Sequence, residues 1–135
     1  MTAPLPFQYQ DSMTVEVRHT VSGLPFNWPG FTDMPPVLAT AVMIGFAEQT
    51  CIRGLRELEG GPIETVGTHI NLSHSRPTPV GDTVTAIVDL IEVDRKKLTF
   101  RIGIHDSHGQ ISSGKHERFM IDPMRFMETV GRRTI

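Results

Sequence analysis

A hydroxyl, a carboxylate and an imidazole are the groups from which this chain can assemble acid–base or nucleophilic chemistry: Thr40, Glu48 and His74. Glu48 is the only charged side chain in the sixteen residues from Val37 to Ile52. A carboxylate among apolar groups is costly unless it is paired, hydrogen-bonded or turned to solvent. Thr40 lies eight residues earlier. On a helix that spacing is two turns and about 80° of rotation, so both side chains can border one cavity. His74 closes the run Asn71-Leu72-Ser73-His74-Ser75. In a strand, Ile70, Leu72 and His74 share a face, while His69 takes the opposite one. An inward imidazole near a carboxylate is an acid or base at neutral pH. Each residue also has an ordinary structural explanation. Glu48 can sit on a solvated strip with Gln49, Thr40 can cap or back-bond a helix, and His74 can be a polar strand end.

Two further positions bear on such a site. Gly67 interrupts a strand-like run, where a missing side chain lets a ligand approach the backbone and an amide can face a developing oxyanion. Arg118 follows His116-Glu117 and can pair with a phosphate or with Glu48, a surface cation being the default. Cys51 lies in the apolar stretch and reads as a core residue. The sequence holds no G-x-S-x-G elbow, no P-loop and no G-x-G-x-x-G. His105-x-x-His108 without further ligands makes no zinc site, so no metal is expected.

The elements that must position these groups follow from periodicity. The spacing predicts a strand over 12–21, where Met13, Val15 and Val17 alternate with polar residues. Residues 1–10 read as an N-terminal arm. Residues 22–34 mix turn formers with Leu24, Phe26, Trp28 and Phe31 and must cover something, either the core or a pocket, as a lid. A helix is expected from Val37 to about Leu58, with Pro35-Pro36 in its first turn, Thr32 or Asp33 as its cap, and Gly60-Gly61-Pro62 as its stop. Being apolar nearly all round, it should be buried on most sides. Strands are expected over 64–75, with Val66, Thr68, Ile70 and Leu72 on one face, and over 82–93, 97–105 and 110–121. The tail 123–135 should hold a short helix from Met124 to Val130. Consecutive strands joined by short turns make an antiparallel sheet. The fold class is α+β: a five-stranded antiparallel sheet wrapped around one long central helix, the hotdog plan, in a single domain over 1–135. Such a sheet has an edge to protect, and pairing with a second copy protects it, so a homodimer is expected, with a tetramer left open.

Composition narrows the classes. A net charge of −2, with 39% apolar and 21% charged residues, describes a globular domain and offers no basic surface for nucleic acid. One cysteine excludes an internal disulfide framework and fits a reducing cytoplasm. No apolar run is long enough for a membrane, and the N-terminus does not read as a signal peptide.

Taken together, these residues resemble the fluoroacetyl-CoA thioesterases of the hotdog superfamily. The likeness runs from about Phe31 to Ile121. It is carried by Pro36-Val37-Leu38-Ala39-Thr40, by Glu48 with Cys51-x-Arg53, and by Gly67-Thr68. Ser73-His74-Ser75 with Thr78-Pro79-x-Gly81, and Ser113-Gly114-Lys115-His116-Glu117-Arg118, complete it. The resemblance implies hydrolysis of a short-chain acyl-CoA thioester, with Thr40, Glu48 and His74 as the catalytic set. It implies Gly67 and Arg118 at the acyl site, a lid including Phe31 and Met34, no metal, and no cofactor beyond the CoA of the substrate. It also implies a site formed between two subunits. Met34 stands where the family has a second lid phenylalanine, and His69 replaces a small residue, so the acyl group is left open. A hotdog hydratase is disfavoured because no inward aspartate precedes His74 in an Asp-x4-His arrangement. A non-catalytic acyl-CoA binding module and a purely structural dimer are the remaining alternatives.

Overall fold

A computed structural model describes residues 4–133 of the chain. Its strands are β1 (Phe7–Thr14), β2 (Thr65–Leu72), β3 (Thr83–Asp94), β4 (Lys97–Asp106) and β5 (Gly109–Met120). Its helices are α1 (Pro29–Thr32), α2 (Thr40–Glu59) and α3 (Pro123–Gly131). All strand pairs are antiparallel, in the order β1-β3-β4-β5-β2, and α2 packs on one face of the sheet.

Alternation in β3 and β4 builds that face. Val84, Ala86, Val88 and Leu90 are buried, and opposite them lie Leu98, Phe100, Ile102 and Ile104. Fully burying a large apolar side chain stabilises by about 1.5–3 kcal/mol, so these two strands anchor the sheet. α2 adds Met43, Ala47, Cys51 and Leu55 at four-residue spacing. Its other side is not buried. Ala41 and Gly45 are exposed and Ile44, Glu48 and Ile52 only half-buried, which corrects the expectation of a helix covered on most sides.

The helix also starts later than its apolar run. A proline drives the residue before it into extended backbone. Pro35-Pro36 thus stay outside α2, while Val37 and Leu38 make isolated bridges to Pro79 and Thr20. The N-cap is Ala39, with no side-chain cap, so neither Thr32 nor Asp33 caps the helix and Thr40 is its first residue. The stop falls as expected. Gly60 adopts φ 72°, and its N–H bonds to the Arg56 carbonyl.

β1 occupies 7–14 rather than 12–21, so residues 7–10 of the expected arm belong to the sheet edge; Met1–Ala3 lie outside the described residues. Its inward row, Phe7, Tyr9, Asp11 and Met13, is interrupted by Asp11, which accepts hydrogen bonds from Gln49 and Arg53 of α2. That polar anchor hides the strand's alternation. Beyond it, Val17–His19 form a single 3-10 turn. The C-terminal helix is present over Pro123–Gly131, capped by the Asp122 side chain.

Candidate active site

The sheet turns from apolar to polar at its fifth strand. Opposite buried Ile104, Ile102, Phe100 and Leu98, β5 places Ser112, Gly114, His116 and Arg118. His116 and Arg118 are almost wholly buried, at 2% and 3% exposure. A buried guanidinium must have its donors satisfied. Arg118 Nε donates to Thr65 Oγ1 at 2.9 Å and Nη2 to the Thr65 carbonyl at 3.1 Å. Nη1 donates to Glu48 Oε2 at 2.8 Å and to His116 Nε2 at 3.1 Å. Of the two partners anticipated for Arg118, the carboxylate is the one present, and the surface reading is excluded.

Glu48 therefore enters the site through α2, on the open stripe of the helix. Its side chain is 40% exposed in a single protomer, so it is paired rather than sealed in the core. Gly67 makes this approach possible. A Cβ there would lie 2.7 Å from Glu48 Oε2, 3.2 Å from His116 Cε1 and 3.3 Å from Arg118 Nη1. A cavity of about 440 Å³ opens in front of this group, lined by Ile44, Glu48, Gly67, His69, Ile70 and His116 among others. A depression of about 460 Å³ on the opposite face of the sheet borders none of the candidate catalytic side chains.

Thr40 and His74 form a separate pair. Freed from capping, Thr40 Oγ1 lies 2.8 Å from His74 Nδ1. Desolvation holds His74 below the ordinary histidine value, so at neutral pH the ring is uncharged and able to take a proton. His74 Nε2 is buried without a hydrogen-bond partner among the described residues. His74 takes the face of Ile70 and Leu72, the parity expected for it, and meets Thr40 there. A bulge between Gly67 and His69 shifts the register, so Gly67 pairs with Arg118 and Ile70 with His116. Thr65 and Gly67 face inward before the bulge, and Ile70 and Leu72 after it. Val66 and Thr68 are thus not on the face of Ile70 and Leu72, as strict alternation had them.

Within one protomer the three candidate residues are not one cluster. Thr40 begins α2 and Glu48 lies two turns on, about 12 Å along the axis at 1.5 Å per residue. The lid-like loop is held at the Thr40 end. The Val21 amide bonds to the Val37 carbonyl and the Ala39 amide to the His19 carbonyl, which tie both its ends beside the helix start. Phe26 and Trp28 stack with centroids 4.9 Å apart, and Trp28 meets Phe31 edge-on at 5.4 Å. Phe26, Trp28 and Met34 remain exposed, so the loop is not a core plug. Cys51 is fully buried and its thiol is pushed up to about 12 by desolvation, which excludes it as a nucleophile. No group of three or more potential metal-binding side chains exists among the described residues.

His116 and Thr65 are the site residues that the sequence reading did not assign. The available signal was period two: His116 shares the face of Arg118, so a role for one implied an inward position for the other.

A five-stranded antiparallel sheet around one helix, with a hydroxyl–imidazole pair and a carboxylate on that helix's open side, defines a hotdog-fold thioesterase. Known proteins agree. The family model for fluoroacetyl-CoA-specific thioesterases matches residues 13–124. The fluoroacetyl-CoA thioesterase of Streptantibioticus cattleyicolor is 34% identical over 94% of this chain and 91% of its own length. A solved structure of the fluoroacetyl-CoA thioesterase FlK superposes with a TM-score of 0.91 at 30% identity, covering 100% of both chains. A Thermus thermophilus protein of the thioesterase superfamily shares the fold, with a TM-score of 0.83 at 16% identity over 98% of this chain and 94% of its own. The chain belongs to the fluoroacetyl-CoA-specific thioesterase family and is an acyl-CoA thioesterase.

Proposed function

We propose that this enzyme hydrolyses a short-chain acyl-CoA to the free acid and CoA, with Thr40, Glu48 and His74 completing one site across a homodimer. The observation that carries the reading is the pair of half-sites on one helix. Thr40–His74 and Glu48–Arg118 are each built and each open, about two turns apart. β2 lies at the sheet edge and is largely exposed, Ile70 included, and the uncovered stripe of α2 faces the same side. Antiparallel pairing of two β2 edge strands about a two-fold axis brings the Thr40–His74 end of one subunit toward the Glu48 end of the other. A Thr40–His74 pair then meets the partner's Glu48, and the exposed apolar stripe is covered.

The chemistry follows from the groups. Glu48 either attacks the thioester carbonyl with Thr40 assisting, breaking the C–S bond to release CoA as the protonated thiol and leave a mixed anhydride that water then hydrolyses to the acid and free Glu48, or activates a water molecule that displaces CoA directly. Neutral His74 orients the Thr40 hydroxyl and exchanges its proton with the reacting groups. The Gly67 amide faces the developing oxyanion. Phe31 and Met34 belong to the lid that excludes water and limits acyl length. Met34 is flexible and half exposed, which suits acetyl and propionyl groups alongside fluoroacetyl.

The test is thiol release from acetyl-, propionyl- and fluoroacetyl-CoA by the wild type and Glu48→Gln. A fall in kcat of about 10²-fold or more in the variant is expected. Equal rates would remove Glu48 from the mechanism. Tight CoA-ester binding by the wild type with no thiol release over hours would favour the binding module instead.

A further inference from the structure

His116 is buried beside the carboxylate, yet the hydrolytic scheme gives it no part. Its partners fix its state. Nδ1 lies 2.7 Å from the His69 carbonyl, which only accepts, so Nδ1 carries the ring hydrogen. Nε2 lies 3.1 Å from Arg118 Nη1, which only donates, so Nε2 presents its lone pair. The ring is therefore a neutral Nδ1–H imidazole acting as an acceptor. Burial disfavours a second proton and adjacent Arg118 opposes it too, against the His69 carbonyl and Glu48, which favour it. Arg118 on its own strand and Glu48 from α2, with Oε2 3.9 Å from Nε2, face the ring, while His69 of β2 meets it through its backbone carbonyl and is the remaining titratable group nearby.

The geometry points to His116 as a positioning residue that aims the Glu48 carboxylate by fixing Arg118. This rests on the catalytic reading of Glu48. Nη1 has two hydrogens, one directed to Glu48 and the other to His116. The Thr65 bonds hold Nε and Nη2, so His116 completes the lock. Glu48 is the mobile member, with a side chain 40% exposed and Arg118 as its one hydrogen-bond donor among the described residues. Remove the acceptor and the guanidinium can tilt toward another partner, taking the carboxylate with it. A shift on the order of 1 Å in a catalytic group can cost about 10²-fold in rate.

Two variants separate this from plain packing. His116→Phe keeps a planar ring but no acceptor, and His116→Gln restores an acceptor near Nε2. Expected for His116→Phe is a kcat lower by about 10–100-fold, with KM within about threefold of wild type. His116→Gln should recover most of that loss. In an Arg118→Met background, adding His116→Phe should change kcat by less than about twofold, because the route through Arg118 is already gone. A multiplicative loss there, a Gln variant no better than Phe, or a Phe variant with wild-type kcat would each overturn the proposal. If Phe does not fold, ring 15N shifts of the wild type decide: Nδ1–H supports the assignment and Nε2–H overturns it. Glu48→Gln measured alongside separates the two claims. An inactive Glu48→Gln beside a fully active His116→Phe removes only His116, whereas an active Glu48→Gln removes both.

Discussion

Gly67→Ala puts one methyl group where three functional atoms converge. Its Cβ would sit 2.7 Å from Glu48 Oε2, 3.2 Å from His116 Cε1 and 3.3 Å from Arg118 Nη1. His116 and Arg118 are buried and held by their hydrogen bonds, so they yield little. Glu48 is a flexible side chain with an open flank, so it moves. Ordinary contact with a methyl carbon needs about 3.4 Å or more, which asks the carboxylate to retreat by roughly 0.7 Å. That retreat lengthens the 2.8 Å bond to Arg118. Folding loses little, because the displaced group finds water. Catalysis loses more, since misplacement near 1 Å costs about 10²-fold, or about 2.7 kcal/mol of barrier. The assay is CoA thiol release from acetyl-CoA, run with a thermal melt of the same preparation. A kcat/KM lower by about 10²-fold at a Tm within a few degrees is expected. A Gly67→Ala enzyme within twofold of wild type would refute this packing of the site.

Other outcomes follow from the titrating groups. His74 and His116 both lie below the ordinary histidine value, chiefly through desolvation. The unfolded chain then binds more protons as pH falls through about 6.5, so stability should decline from pH 7.5 to 5.5. Urea unfolding at the two pH values checks the sign, and greater stability at pH 5.5 would contradict it. For the same reason kcat/KM should hold from pH 8 to 6.5 and fall only below, as His74 gains its proton. Cys51, with its thiol pushed up to about 12, should resist a disulfide thiol reagent at pH 8 in the native protein and react at once in denaturant. Rapid labelling of native enzyme would show that the α2 core opens.

How far the molecule could be read from its residues depended on which physical signal each element carries. β3 and β4 alternate apolar and polar residues, and tight turns bound them and β5, so the extents of all three were legible to within a residue or two. β1 was misplaced because an edge strand is half solvated and its inward row carries Asp11 between Tyr9 and Met13. The start of α2 was misplaced because composition cannot show that Val37 and Leu38 are taken up in bridges to Pro79 and Thr20. The bulge at Thr68 left no mark in composition, yet it decides which β2 side chains face the cavity. Thr40, Glu48 and His74 stood out as chemical types in unusual settings. His116 did not, because a run of polar residues in a strand ordinarily reads as a solvated face, and only the pairing with β4 reveals that this row looks inward.

The eight-residue spacing of Thr40 and Glu48 makes subunit sharing the sharpest remaining question. If one site draws Thr40 and His74 from one subunit and Glu48 from the other, two inactive enzymes should repair each other. In a mixture of Thr40→Ala and Glu48→Gln subunits, each heterodimer carries one site with both residues intact and one with neither. Random pairing makes half of the dimers mixed, and half of their sites whole, so about a quarter of wild-type activity should return. Subunits are exchanged by co-expression with two affinity tags, and the isolated doubly tagged dimer, with one whole site of two, should show about half of wild-type thiol release. A catalytic set contained within one protomer predicts no recovery, since every site would then lack one member. Thiol release from the mixed dimer at the level of either parent would therefore rule out the shared site and require α2 to be bent or the substrate to span both half-sites of a single chain.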